Sequence, residues 1–370
     1  MTKSVSVQKY LALFVLSVLL VGPASASTKY LTIGELREEV NEGWHETYEA
    51  YGRTIAIDVE VDVPQTDFFP VLRIKKAAAV PETLLKGYES SVNSDNYLVI
   101  SKTPPNPLKH TNASAWFKES YTLEPDEISW DDHLAEGSPL TAKEAMELLL
   151  RELSQFFVPE NIDTLELNSL WVRSRLYAYD RKAKTFGDPL NAMGSYEFDF
   201  FQELEGIPVL VDGQRSFSPQ IQGEKIPPAT RVNANIFADG FFDIDAHLVE
   251  VVDTAQPDVP LLCFEEVKGE YEKLIKAGLL RDVFSVRLGY ILSVDPVDKE
   301  MYWATPAWVL RGVVYDDAKQ EAPPATEDTQ DTRPVRNKIV DGQRGIPIGD
   351  NNASITRRQV PAWLTWDQIK

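Results

Sequence analysis

The sequence predicts an α+β chain in which helices pack on antiparallel sheets, and three stretches carry that expectation. Residues 264–315 read as one amphipathic helix followed by two long strands. Phe264, Val267, Tyr271, Leu274 and Ile275 fall on one helical stripe, and Gly278 stands where such a helix ends. From Val283 the period changes to two: Phe284, Val286, Leu288, Tyr290, Leu292 and Val294 point one way, and Ser285, Arg287, Gly289 and Ser293 the other. A second helix opens with the capping box Thr141-x-x-Glu144, and strand-like segments follow at 165–179, 196–201 and 207–211. The third stretch is N-terminal. A helical segment over 34–51 precedes a strand in which Ile55, Ile57, Val59, Val61 and Val63 alternate with Asp58, Glu60 and Asp62. Together they predict two helix-on-sheet units behind an N-terminal α+β domain.

The chain opens on a pattern expected of a cleaved targeting segment. Lys3 and Lys9 precede an apolar run from Tyr10 to Val21, and Ala24-Ser25-Ala26 is a small-residue cleavage site. The run is shorter than the roughly 18–20 residues that a membrane span needs. Cleavage after Ala26 would leave 344 residues with a net charge of −22. That acidity argues against nucleic acid or anionic membranes as partners, because both select basic surfaces. Cys263 is the sole cysteine, so no internal disulfide can form, and its apolar surroundings predict a buried small hydrophobe. Export without disulfides fits a bacterial source.

In order, the expected organisation is a signal segment over 1–26, an N-terminal α+β domain over 27–135 and a tandem helix-on-sheet region over 136–315. An acidic, Pro-rich, mobile loop over 316–335 and a closing strand and terminal segment over 336–370 complete it. In the N-terminal helix, Leu36, Val40, Trp44 and Tyr48 recur every four residues and Gly52 stops it. Residues 69–74 can pair back on the strand that follows. The helix opened by Thr141 carries Ala142, Ala145, Met146, Leu149, Leu153 and Phe156 as its stripe and ends at Pro159. Gly, Gln and Pro make residues 213–228 a loop, and further strands are expected over 231–237 and 241–252. In the closing segment, Ile339-Val340-Asp341 before Gly342 and Gly345 reads as strand and turn, and Val360, Trp363, Trp366 and Ile369 can dock the terminus.

No strong catalytic pattern is present: no nucleophile elbow, zinc-protease helix, phosphate loop, dinucleotide fingerprint, calcium loop or paired C-x-x-C. One Cys and four His leave little room for a thiol protease or a multi-His zinc site, and no cofactor is expected. The best metal candidates are Asp243, Asp245 and His247, which alternate on a predicted strand and so share one face. With Phe242, Ile244, Ala246 and Leu248 on the buried side, polar residues there are equally what a solvated face requires. Asp131-Asp132-His133 diverge from one another and read as an acidic turn. Glu197 and Asp199 share a strand face and are the candidate pair for a glycan hydrolase, although an amphipathic strand would look the same. Trp303 and Trp308 lie on opposite faces of their strand, so at least one should pack in the core.

The motifs Tyr196-Glu-Phe-Asp-Phe200 leading to Gly206-Ile-Pro-Val209, then Val286-Arg-Leu-Gly-Tyr290 with Tyr302 and Pro306-Ala-Trp308, resemble the extracytoplasmic modules of the YycH/YycI and PepSY type of Gram-positive bacteria. The closing Ile339-Val-Asp-Gly-Gln-Arg-Gly345 is similar to their final strand and turn. Trp44, Tyr48 and Gly52 before an acidic strand ending in Pro64 look like uncharacterised secreted proteins and lipoproteins of clostridial gut bacteria. The resemblance implies non-enzymatic binding or regulation outside the membrane. The expected function is therefore a secreted or cell-surface protein that binds a protein or peptide partner, through a sheet edge or the groove between units. The alternative is a carboxylate-dependent hydrolase of cell-wall or dietary glycans.

Overall fold

The computed structural model describes residues 28–50, 52–77, 89–92, 98–102, 114–180, 182–190, 193–210, 230–237, 242–278, 280–295, 297–298, 300–314, 335–343 and 347–350. The expected signal segment, the 213–228 loop, the docking aromatics beyond 351 and all but the last residue of the 316–335 loop lie outside them. Among the described residues, strands outnumber helices by far, and the sheets curl into a half-barrel. This corrects the expected α+β class, with its two helix-on-sheet units and separate N-terminal α+β domain.

The reason is visible at residues 34–51. Helix α1 covers only Ile33–Glu39, opened by a capping box between Thr32 and Glu35. At Gly43 the backbone turns left-handed (φ +75°), which a residue with a Cβ resists. The chain then runs as the strand Trp44–Ala50, antiparallel to Arg53–Val59. A spacing of four is common to both periodicities: Trp44 and Tyr48 share a face on a strand as well as on a helix. Both are buried, with the Trp44 ring 6.4 Å from Tyr271 and 6.0 Å from Phe264.

The other two expected helices form where their stripes place them. Helix α2, Ala142–Leu153, is capped by Thr141 and Glu144 and buries Ala142, Ala145, Leu149 and Leu153. It stops at Ser154, and Pro159 opens the short helix α3, Pro159–Ile162, instead of ending α2. Helix α4, Phe264–Lys276, buries Phe264, Val267, Tyr271 and Ile275. Among the described residues no helix is long and apolar enough to cross a membrane.

Two sheets dominate. In the seven-stranded sheet, Leu280–Val294 and Met301–Val314 form a long hairpin closed by Asp295, whose Oδ1 accepts from the N–H groups of Val297 and Asp298. Residues 301–304 of that hairpin pair with Val71–Lys76, and residues 307–313 with Val335–Asp341. Val71–Lys76 pairs on its other side with Val249–Gln256, so residues 69–74 do not fold back on the N-terminal strand as expected. One hydrophobic core joins this sheet, α4 and the Trp44–Val59 hairpin; Trp308 is fully buried in it and Trp303 packs at its margin.

The larger sheet has eight strands, in the order Glu89–Val92, Leu98–Lys102, Phe242–His247, Arg231–Phe237, Ser195–Leu204, Leu165–Arg173 and Ser120–Leu123, with Ile207–Pro208 added on Ser195–Leu204. All these neighbours are antiparallel. Helix α2 packs on one face, over Leu170, Tyr196, Phe198, Val232 and Ile244. A three-stranded arm of Ser114–Phe117, Leu176–Asp180 and Thr185–Pro189 continues from the Arg173 end.

Candidate functional site

Alternation sends about one residue in two of the large sheet away from α2, and on that far face most side chains are polar, with the apolar Trp171, Phe201 and Phe237 set among them. The register sets them in rows. Trp171, Glu197, Asn235 and Asp243 lie side by side, and Ser169, Asp199, Asn233 and Asp245 form the next row. Cross-strand and diagonal neighbours are within reach of long side chains, and a continuous network results. Arg173 pairs with Glu197, whose other oxygen accepts from Asn233 Nδ2 at 3.0 Å. Arg231 Nε donates to Asp199 Oδ1 at 2.6 Å, and Asn168 Nδ2 to Asp199 Oδ2 at 3.0 Å. Both carboxylate side chains are only about 15% exposed (14% for Glu197 and 15% for Asp199), which makes these pairs shielded ones.

Asp243, Asp245 and His247 do share this face, as their spacing predicts. Asp245 Oδ1 and His247 Nε2 lie 3.1 Å apart, and the residue directly across from His247 is Arg231. A cation seated at His247 would sit close to that guanidinium, which opposes it electrostatically. Among the described residues no group of three His, Cys, Asp or Glu is arranged to hold a metal. Asp131, Asp132 and His133 are exposed in the turns before α2.

Sequence reasoning singled out Glu197 and Asp199 but missed what surrounds them. The Arg173 guanidinium lies 4.8 Å from the Phe117 ring and 5.6 Å from that of Trp171, a cation held between two aromatic faces. Beyond it the arm carries Tyr177, Tyr179 and Phe186, with ring centroids 6.1 and 5.0 Å apart, and Phe186 and Trp171 are both exposed. Tyr177 OH donates to Glu136, which also pairs with Arg175 at 3.4 Å; desolvation first, then that carboxylate, raise the Tyr177 hydroxyl above its ordinary range. At the arm's turn the N–H groups of Ala183 and Lys182 hold the Asp180 carboxyl below its ordinary range. Three buried polar atoms beside Glu197 have no hydrogen-bond partner among the described residues: Arg173 Nε, Ser195 Oγ and Asn235 Oδ1. The only hint of this corner in the sequence was the density of aromatic and basic residues between 171 and 186, which carries no periodicity.

No family model matches the chain, and no curated protein matches it. Among solved structures, one similar chain is an uncharacterized protein from Eubacterium rectale, at 15% identity and a TM-score of 0.46, over 85% of this chain and 96% of that one. None of these findings bears on the YycH/YycI and PepSY likeness.

Proposed function

We propose that this is a non-enzymatic, extracytoplasmic binding protein whose large-sheet face and adjoining aromatic arm take up a protein or peptide partner. One observation carries the reading: each carboxylate of the candidate hydrolytic pair is engaged by an arginine and an asparagine. A retaining or inverting glycosidase needs two carboxyls that reach the scissile bond, whereas here the oxygens of both are taken up by arginine and asparagine donors of the sheet itself. Such a network is a rigid pattern of donors and acceptors, suited to recognition.

The sheet face suits a partner better than the sheet edges do. Val249–Gln256, at the edge of the seven-stranded sheet, carries two register irregularities, and Ser120–Leu123, at the edge of the larger one, is four residues long. Short or bulged edges discourage an added strand. Location outside the membrane rests on the apolar run and the Ala24-Ser25-Ala26 site, and N-terminal sequencing of exported protein should begin at Ser27.

The discriminating experiment pairs a hydrolysis assay with a binding assay on the purified full chain. Reducing ends should not appear from cell-wall or plant glycans. A peptide array should retain the protein, and Trp171→Ala should weaken that retention about tenfold, the loss of one aromatic anchor. Glycan cleavage that disappears in Glu197→Gln would establish the hydrolase instead.

A further inference from the structure

The strand Trp44–Ala50 sends Trp44 and Tyr48 into the core and turns His45, Thr47 and Glu49 to its exposed face. His45 stands at the open end of its hairpin, directly across from Asp58 on Arg53–Val59. The ring folds back over the turn that follows α1. Its Nδ1 lies 2.7 Å from Asp58 Oδ1, and its Nε2 is within hydrogen-bond distance of the Glu42 backbone carbonyl. A Cβ on Gly43 would come within 2.9 Å of that Nε2, so the absent side chain makes room for the ring. Both partners are acceptors. An ionised carboxylate and a carbonyl have no proton to give, so the arrangement is satisfied only when both ring nitrogens carry one, which is the imidazolium form.

We propose that His45 is a proton-operated latch: the doubly protonated ring fastens the open end of the Trp44–Val59 hairpin to the turn after α1, and loss of one proton releases it. A neutral ring turns a lone pair towards one of the two oxygens, and the repulsion drives it off that partner. The charges that act on the ring are Asp58, from the partner strand, and Glu42, from the turn; both are acidic and favour the cation. On its own strand Glu46 meets Lys268 of α4 and Glu49 accepts from Thr54. The hydrogen bond to Asp58 first, then that to Glu42, raises the ring above the ordinary imidazole value of 6.5. The folded state therefore binds the proton more tightly. Its favourable contribution is complete below the ordinary value and is lost as pH rises through the folded one. The His45 and Asp58 side chains are 56% and 87% exposed, so solvent protons reach the latch without opening the core. The end that it holds adjoins Trp44, which packs on Phe264 and Tyr271 of α4.

The test follows the full chain by NMR across pH 5 to 9, with the His45 ring signals assigned by their loss in His45→Gln. The ring should titrate above the ordinary value, with both nitrogens protonated below its midpoint, and Asp58→Asn should bring that midpoint down. Exchange protection at the hairpin's open end, read at the Gly43 amide that donates to Val40 and at the strand amides beside it, should fall about twofold to fivefold as the ring loses its proton. Protection in α2 should stay level, and equal α2 protection in both variants checks that they fold. His45→Gln should abolish the pH step. A ring that titrates at or below the ordinary value, hairpin protection that stays flat through the titration, or a step that survives in His45→Gln would each overturn the proposal. The wild-type titration decides the first two by itself, whatever the variants do.

Discussion

Gln202 shows how much one buried side chain can hold. It is 1% exposed; its amide oxygen accepts from the Val249 N–H at 3.0 Å, and its Nε2 donates to the Val249 carbonyl at 2.8 Å and to Thr164 Oγ1 at 3.0 Å. Val249 is where the chain leaves the larger sheet and enters the other, so the glutamine stands in for a missing strand neighbour. Gln202→Leu should lose about 2–4 kcal/mol, because two buried backbone groups are left unpaired, and denaturant unfolding would measure it. Glu203, the next residue, behaves oppositely. Burial first, then Glu166 and Asp62, raise its carboxyl above the ordinary range. A raised folded-state value means that the folded state binds the proton more tightly, so its favourable contribution is complete below the unfolded value and is lost as pH rises through the folded one. Glu203→Gln should therefore raise the melting temperature at neutral and alkaline pH, with the gain vanishing in acid. A gain that persists at pH 3 would contradict the assignment.

At the scale of elements, caps and stripes decide. Helices α1 and α2 both begin with reciprocal Thr–Glu capping boxes, and backbone N–H groups hold Glu35 and Glu144 below their ordinary range. Thr141→Ala should cost about 1 kcal/mol, and Thr141→Ser should restore most of it. Helix α4 is tied down differently: Lys268 bridges Glu46 and Glu265 at 2.7 Å each, and Tyr48 OH donates to Glu46, with Glu272 Oε1 at 3.1 Å. Hydrogen bonds from Lys268 and Tyr48 hold the Glu46 carboxyl low, so this link should weaken as pH falls through its depressed value. Lys268→Met should speed amide exchange in the Trp44–Val59 hairpin more than in α2. The box before α2 and the stripe of α4 were legible in the sequence, since both depend on residues within a turn or two. The strand Trp44–Ala50 was not, because Trp44 and Tyr48 satisfy either period and only the core contacts with Phe264 and Tyr271 choose between them.

Across the whole molecule, the two sheets are joined where residues 207–210 cross the long hairpin. Leu210 N donates to the Tyr290 carbonyl at 2.8 Å, and Val209 bridges to Tyr290 in the parallel sense. The crossing is so close that a Cβ on Gly289 would meet Pro208 O at 2.5 Å and the Leu210 side chain at 2.7 Å. Gly289→Val should therefore push the crossing segment off the hairpin and cost about 2 kcal/mol or more. If the two sheets depend on this contact, the variant should unfold in two steps by calorimetry. A single transition with unchanged midpoint would show that the crossing carries no load.

Local chemistry alone determined that residues 231–237 would form a strand, that the strand 242–247 would show one polar and one apolar face, and that α2 and α4 would form. Each follows from interactions with near neighbours along the chain, which a sequence displays directly. The tertiary structure decided the partners. Val71–Lys76 joined Val249–Gln256 and residues 301–304, far away in sequence, and so made strands the dominant element and the half-barrel the shape. It also brought Arg173 onto Glu197, Arg231 onto Asp199, and the rings of Phe117 and Trp171 around Arg173. Alternation places a side chain on a face, but which strand lies beside it is settled by burying both cores at once, a long-range condition that no local pattern contains.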